Sequence, residues 1–108
     1  MKGLTLYPMK KVEIIVRGED LSFVLDLLER ANVSGYTIVH NLSGKGSHGF
    51  HEGHLLFNEE DTLAMVVSVM PEEKARSILE GFAPFLNKHS GVVFVSDTMV
   101  SRIEKFKR

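Results

Sequence analysis

The chain has 108 residues, 44% of them hydrophobic and 25% charged, with a formal net charge of −1 and no cysteine. That length suits one domain with a real core, and a near-neutral charge argues against a nucleic-acid or anionic-membrane partner. The missing thiols exclude disulfides, thiol catalysis and thiolate metal sites, while no run of signal-peptide or transmembrane length follows Lys2, Lys10 and Lys11, so a cytoplasmic protein without direct membrane insertion is expected.

In chain order, Val12-Glu-Ile-Ile-Val16 is a β-branched run that predicts a strand over 9–17. Gly18-Glu19-Asp20 then offers acids to a helix start, where the dipole favours them. Leu21, Val24, Leu25, Leu28 and Ala31 recur at helical spacing and predict an apolar stripe, closed by the turn-forming Asn32 to Gly35. Residues 36–42 read as a second strand and 62–70 as a third, apolar on both faces. Pro71-Glu72-Glu73 opens a second helix whose stripe is Ala75, Ile78, Leu79 and Phe82. Gly81 and Pro84 should kink or fray that helix before it ends near Lys88 and His89. Residues 92–95 form a fourth strand, and the tail from Ser101 is read as a last short strand or as disordered.

The order β-α-β-loop-β-α-β repeats one unit over 12–43 and 65–97. It predicts an α+β fold, the ferredoxin-like βαββαβ (split βαβ) arrangement, with an antiparallel sheet, two helices on one face and a long loop between strands 2 and 3. Strands 3 and 4 carry apolar side chains in both registers, so the sheet needs a second cover; a further copy of the same chain would supply it.

The loop is the most unusual segment. Residues 41–54 hold four glycines and three histidines. Gly44-Lys45-Gly46 is compatible with an anion-contacting turn, although the P-loop spacing and its following helix are absent. The alternative is a plain flexible hairpin loop. His48, His51 and His54, with Glu52 between them, are suitable zinc, copper or nickel ligands; their spacing matches no helical zinc signature, and a solvated loop reads equally well. Lys88-His89-Ser90-Gly91 is either a second anion-contacting turn or a helix C-terminus with basic residues against the dipole and a glycine exit. No nucleophile–base pair or carboxylate pair stands out, so an enzyme is not expected.

Taken together, Lys10-Lys-Val-Glu-Ile-Ile-Val16, Gly35-Tyr-Thr37, Gly44-Lys-Gly46, Phe94-Val-Ser-Asp97 and the following Arg102 resemble the PII signalling proteins over residues 10 to about 102. The resemblance implies a single PII-like domain over 1–108, with an effector loop (T-loop) at about 43–61 and a tail at about 98–108. It implies a homotrimer that binds adenine nucleotide in the clefts between subunits and docks a target protein through the loop. Gly44, Lys45 and Gly46 would lie at the loop base beside the nucleotide. His89, Ser90 and Gly91 would match the phosphate turn, Gly35, Tyr36 and Thr37 would come from the neighbouring subunit to the adenosine, and Arg102 would reach the phosphates from the tail.

The phosphate turn is shorter here than is usual in PII and poorer in glycine and lysine, which favours ADP or AMP over ATP. The loop has no tyrosine for uridylylation, and no glutamine follows Gly46 to help hold magnesium and 2-oxoglutarate. A histidine-rich loop and short turn are more similar to the carboxysome-associated PII-like branch, whose members bind adenine nucleotide with bicarbonate. The implied partner is a bicarbonate transporter or a carboxysome-linked, carbon-handling protein. Two other classes stand beside this one. One is a trimeric metal-binding protein of CutA-like type using His48, His51 and His54; the other is a weak phosphohydrolase relying on Lys45 or Arg102.

Overall fold

The structure, a computed structural model, describes residues 4–43 and 62–106. Strand β1 (Tyr7–Arg17) leads through a 3-10 turn (Gly18–Asp20) into helix α1 (Leu21–Arg30). Strands β2 (Thr37–Leu42) and β3 (Leu63–Met70) follow, then helix α2 (Glu72–Leu86), strand β4 (Gly91–Val100) and a closing 3-10 turn (Ile103–Lys105). All pairings are antiparallel and the strand order is β2-β3-β1-β4. This is the ferredoxin-like arrangement expected.

Register separates the two faces of the sheet, because directly paired residues share a face. Val12, Ile14 and Val16 of β1 pair with Ser68, Val66 and Ala64 of β3, and all six are buried. Onto this face pack Val24 and Leu28 from α1 and Ala75, Ile78, Phe82 and Phe85 from α2, in one core. The opposite face carries Ile15, Met65, Val67, Val69, Val92 and Phe94, and no described helix covers it. Phe94 there is 51% exposed.

Local sequence explains the ends of α1 and α2. Asn32 adopts φ 58°, a left-handed conformation that asparagine tolerates. Its amide donates to the Glu29 carbonyl and that of Val33 to the Leu28 carbonyl, which closes the last turn of α1 as a Schellman motif. Pro71 precedes α2, and Glu72 and Glu73 occupy its first turn.

Several expectations are corrected. Glu19 and Asp20 do not sit inside the first turn of α1; they form a 3-10 turn ahead of it, and Asp20 makes no side-chain capping bond. Leu79 is 40% exposed rather than part of the buried stripe, because the buried face of α2 runs through Ala75, Ile78, Phe82 and Phe85. Helix α2 passes through Gly81 and Pro84 and stops at Leu86, two residues short of Lys88. Strand β4 extends to Val100, since β1 begins at Tyr7 and supplies partners for Thr98, Met99 and Val100. The tail from Ser101 then forms the 3-10 turn, neither a strand nor a disordered segment through Phe106.

Candidate functional site

Gly91 fixes where the α2–β4 turn lies. It pairs with Val16, and Val16 pairs with Ala64, so the turn sits at the end of the sheet where β2 stops and β3 starts. There the backbone of Gly18 donates to the Thr62 carbonyl at 2.6 Å. The base of the long loop, Ser43 and Thr62, therefore shares one end of the sheet with the turn His89-Ser90-Gly91. A side chain at Gly91 would put its Cβ 3.2 Å from Val16 Cγ1 and 3.4 Å from Leu86 Cδ2, so only glycine enters β4 here without displacing neighbours.

His89 is held by two contacts and faces a carboxylate. Its amide donates to the Phe85 carbonyl at 2.9 Å. Its ring stacks on that of Phe85, with centroids 4.4 Å apart and planes 13° apart. Its Nδ1 lies 4.0 Å from Oδ1 of Asp20. Phe85 in turn stacks on Phe23 at 4.7 Å and on Phe82 at 5.0 Å, so the imidazole continues an aromatic column rooted in the core. A groove of about 440 Å³ runs between the start of α1 and the end of α2, lined by Asp20, Phe23, Pro84, Phe85, Lys88 and His89. The Asp20 side chain is only 13% exposed, and its Oδ2 is buried with no hydrogen-bond donor among the described residues.

The other expected site residues lie elsewhere in the chain. Gly35, Tyr36 and Thr37 enter β2, one edge strand, whereas His89, Ser90 and Gly91 enter β4, the other edge strand. Two strands stand between them, roughly 14 Å across the sheet at the usual interstrand spacing, and Thr37 lies in the row of Phe94, further along the strand direction than Gly91. The Gly35 carbonyl accepts from the Ser68 hydroxyl at 2.7 Å. Arg102 is exposed, with φ 51°, just past the far end of β4. It is roughly 30 Å along that strand from Gly91. One chain does not bring these three groups together, and a site using all of them needs more than one copy. Gly44, Lys45, Gly46, His48, His51 and His54 lie outside the described residues. Among the described residues no group of three or more potential ligands gathers for a metal, and no helix is long and apolar enough to cross a membrane.

The sequence reading missed Asp20, Phe23 and Phe85 as neighbours of His89. Phe82, Phe85 and His89 are spaced by three and four residues, which puts them on one side of a helical path and is the signal that was available. Nothing local to Asp20 or Phe23 marked them, because their contact with the turn is made only when α1 packs beside α2.

Comparison with known proteins agrees with this architecture. The family model for nitrogen regulatory protein P-II matches residues 9–105. Among solved structures, CPII from Thiomonas intermedia K12 bound to ADP, AMP and acetate has 54% identity and a TM-score of 0.86, covering 96% of this chain and 99% of its own. CPII bound to ADP, AMP and bicarbonate has 59% identity and a TM-score of 0.82, with 96% and 98% covered. The apo form of CPII has 51% identity and a TM-score of 0.80, with 93% and 99% covered. No curated protein matches the chain. With the strand order, the one-sided helices and a family match running from β1 through the closing turn, this chain belongs to the P-II family as a PII-like protein.

Proposed function

We propose that this chain is a PII-like regulatory protein, not an enzyme, that binds ADP or AMP in clefts between the subunits of a homotrimer. Bicarbonate is the proposed second ligand, and the segment at about 43–61 is the proposed arm that docks on a carbon-handling partner in the cytoplasm. The observation that carries this reading is the 59% identity, over 96% of the chain, to a protein crystallised with ADP, AMP and bicarbonate.

Two structural features support it. The uncovered sheet face carries an apolar patch of Ile15, Met65, Val67, Val92 and Phe94 beside Glu13 and Thr37, and burying it against further copies would bring the β2 edge of one chain toward the other edge of its neighbour. The turn 89–91 and the loop base share one end of the sheet, so an anion held at the turn could favour one arrangement of the loop over another. Lys88 and His89 are cationic or protonatable groups suited to a diphosphate there.

Calorimetric titration with ADP, AMP and ATP, each with and without bicarbonate, tests the proposal. Saturable ADP or AMP binding that bicarbonate tightens is expected, since two coupled ligands must strengthen each other equally. Binding indifferent to bicarbonate would remove the carbon-linked part. The absence of any nucleotide binding would remove the sensor reading itself.

A further inference from the structure

We infer that Lys74, on α2, is a positioning residue for the segment Gly35-Tyr36-Thr37: its ammonium holds the Asn32 carbonyl and so fixes how the chain leaves α1 toward β2. The inference rests on the nucleotide reading above, in which this segment meets the adenosine of a nucleotide bound at a neighbouring subunit.

Residues 32–36 lie between the end of α1 and the first ladder pair of β2, Thr37 with Val67, so strand pairing does not fix their path. Two side chains from other elements do. Lys74 Nζ donates to the Asn32 carbonyl at 2.5 Å, and the Ser68 hydroxyl donates to the Gly35 carbonyl at 2.7 Å. Between these two points Val33 packs against the core. The turn is thus tied to α2 at its start and to β3 at its end, while Gly35, Tyr36 and Thr37 stay exposed. A fixed backbone beneath exposed side chains lowers the ordering cost that binding must overcome.

The residue type points the same way. Lys74 lies in the first turn of α2, where a cation opposes the helix dipole. It suits α1 instead, because the C-terminal end of a helix favours positive charge. Asn32 follows that end with φ 58°, and this left-handed conformation sets the direction of its carbonyl. A lysine at 74 therefore serves the exit of α1 more than the entry of α2. Arg76, one residue beyond Ala75, does not share this role: it pairs with Glu72 of its own helix at 2.7 Å.

Lys74→Met keeps an unbranched stem and removes the ammonium. The Asn32 backbone is exposed, so its carbonyl can turn to water and the fold should survive. The segment beyond it is then held at one point instead of two, and a ligand must order it on binding.

The test is ADP calorimetry on the full chain, using wild type, Lys74→Met, Lys74→Arg and Arg76→Met, with thermal melts and sedimentation on each. Lys74→Met is expected to fold, to assemble as wild type does, and to bind ADP about threefold more weakly, the order of one hydrogen bond's net worth. Lys74→Arg keeps a cationic donor and should recover most of that affinity. Arg76→Met removes a charge from the same part of α2 without touching the segment, so it should bind ADP as wild type does. Wild-type affinity in Lys74→Met overturns the inference, as does a loss that Lys74→Arg shares in full. An equal loss in Arg76→Met also overturns it, by tracing the effect to the charge of α2. A Lys74→Met chain that misfolds or assembles differently makes the residue structural and overturns its positioning role. A wild type that binds no ADP overturns the nucleotide reading and this inference with it, whereas each of the other outcomes leaves that reading standing.

Discussion

The Ser68 hydroxyl, on β3, donates to the Gly35 carbonyl at 2.7 Å and so ties the turn between α1 and β2 to the sheet. Ser68 is 3% exposed and lies on the helix-covered face, opposite Val12. Its bond fixes the entry of the Gly35-Tyr36-Thr37 segment, which is proposed to meet the adenosine of a nucleotide held by a neighbouring subunit.

Replacing Ser68 by alanine removes that tie. Gly35 is exposed, so its carbonyl can turn to water instead of remaining buried and unbonded. The loss is then the net value of one hydrogen bond, about 0.5–1.5 kcal/mol, and not the larger penalty of a stranded acceptor. Urea denaturation of Ser68→Ala should show that decrease. The proposed placement adds a weaker ADP affinity with the fold intact. An unchanged affinity would show that the orientation of this segment does not matter to the ligand.

Gly81 shows where helix propensity and packing oppose each other. A Cβ at this position would lie 2.6 Å from Leu27 Cδ1, the contact that lets α1 and α2 approach closely. Alanine would gain about 1 kcal/mol of helix propensity over glycine. Against this, pushing a terminal methyl off its rotamer costs about 0.5–1.5 kcal/mol. Gly81→Ala should therefore lie within about 1 kcal/mol of wild type, because the obstructing atom ends a flexible side chain. Gly81→Ile has no such escape and should lose about 1–3 kcal/mol. Chemical denaturation of both variants decides the point, and equal losses would mean that the helices, not Leu27, resist the added atoms.

Strand and helix identities were legible from periodicity, since Val12, Ile14 and Val16 alternate and Val24 and Leu28 recur at helical spacing. Strand length was not. Ser96, Asp97 and Thr98 look like the end of a strand, yet Lys11, Lys10 and Met9 pair with them. That register depends on how far β1 extends in the opposite direction, which local sequence does not state. The site was legible where a motif is contiguous, as in His89-Ser90-Gly91. Asp20 and Phe23 joined it only through the packing of α1 against α2. Gly44, Lys45 and Gly46 were legible as a motif alone, because they lie outside the described residues.

Lys10 and Asp97 face each other across β1 and β4 and form an ion pair. The hydrogen bond to Asp97, and then its charge, raises the Lys10 ammonium above its ordinary value of 10.5, with a smaller contribution from Glu72 and a small opposing effect of burial. A group whose pKa is higher in the folded chain stabilises the fold fully below its unfolded value and ceases to do so as pH rises through the folded one. The contribution of this pair is therefore present at neutral pH and disappears only on the alkaline side of 10.5. Other lysines also titrate there, so the useful quantity is the difference between wild type and Asp97→Asn. That difference should hold constant from neutral into mildly alkaline pH and shrink only as pH is raised past 10.5. A difference that stays constant past 10.5 as well would mean that the pair contributes through packing and not through charge. The pair is partly exposed, so raising the salt concentration should reduce the neutral-pH difference as well.

Val67 lies at the centre of the uncovered face, opposite Glu13 on β1 and Thr37 on β2, with Met65 and Val69 flanking it on the same face. If copies of this chain bury that face against one another, a carboxylate there would lose water without a partner, a penalty of several kcal/mol per interface. Trimerisation should not survive it. In a lone chain the same carboxylate would remain solvated and leave the helix-side core, with Phe82 and Ile14, undisturbed. Val67→Glu is therefore expected to sediment as a folded monomer, with circular dichroism like that of wild type, and to lose ADP binding because clefts between subunits no longer exist. A Val67→Glu trimer would show that the chains associate through another surface. A monomer that still binds ADP with wild-type affinity would move the nucleotide site into a single chain, where the groove beside Asp20 and His89 is the place to seek it.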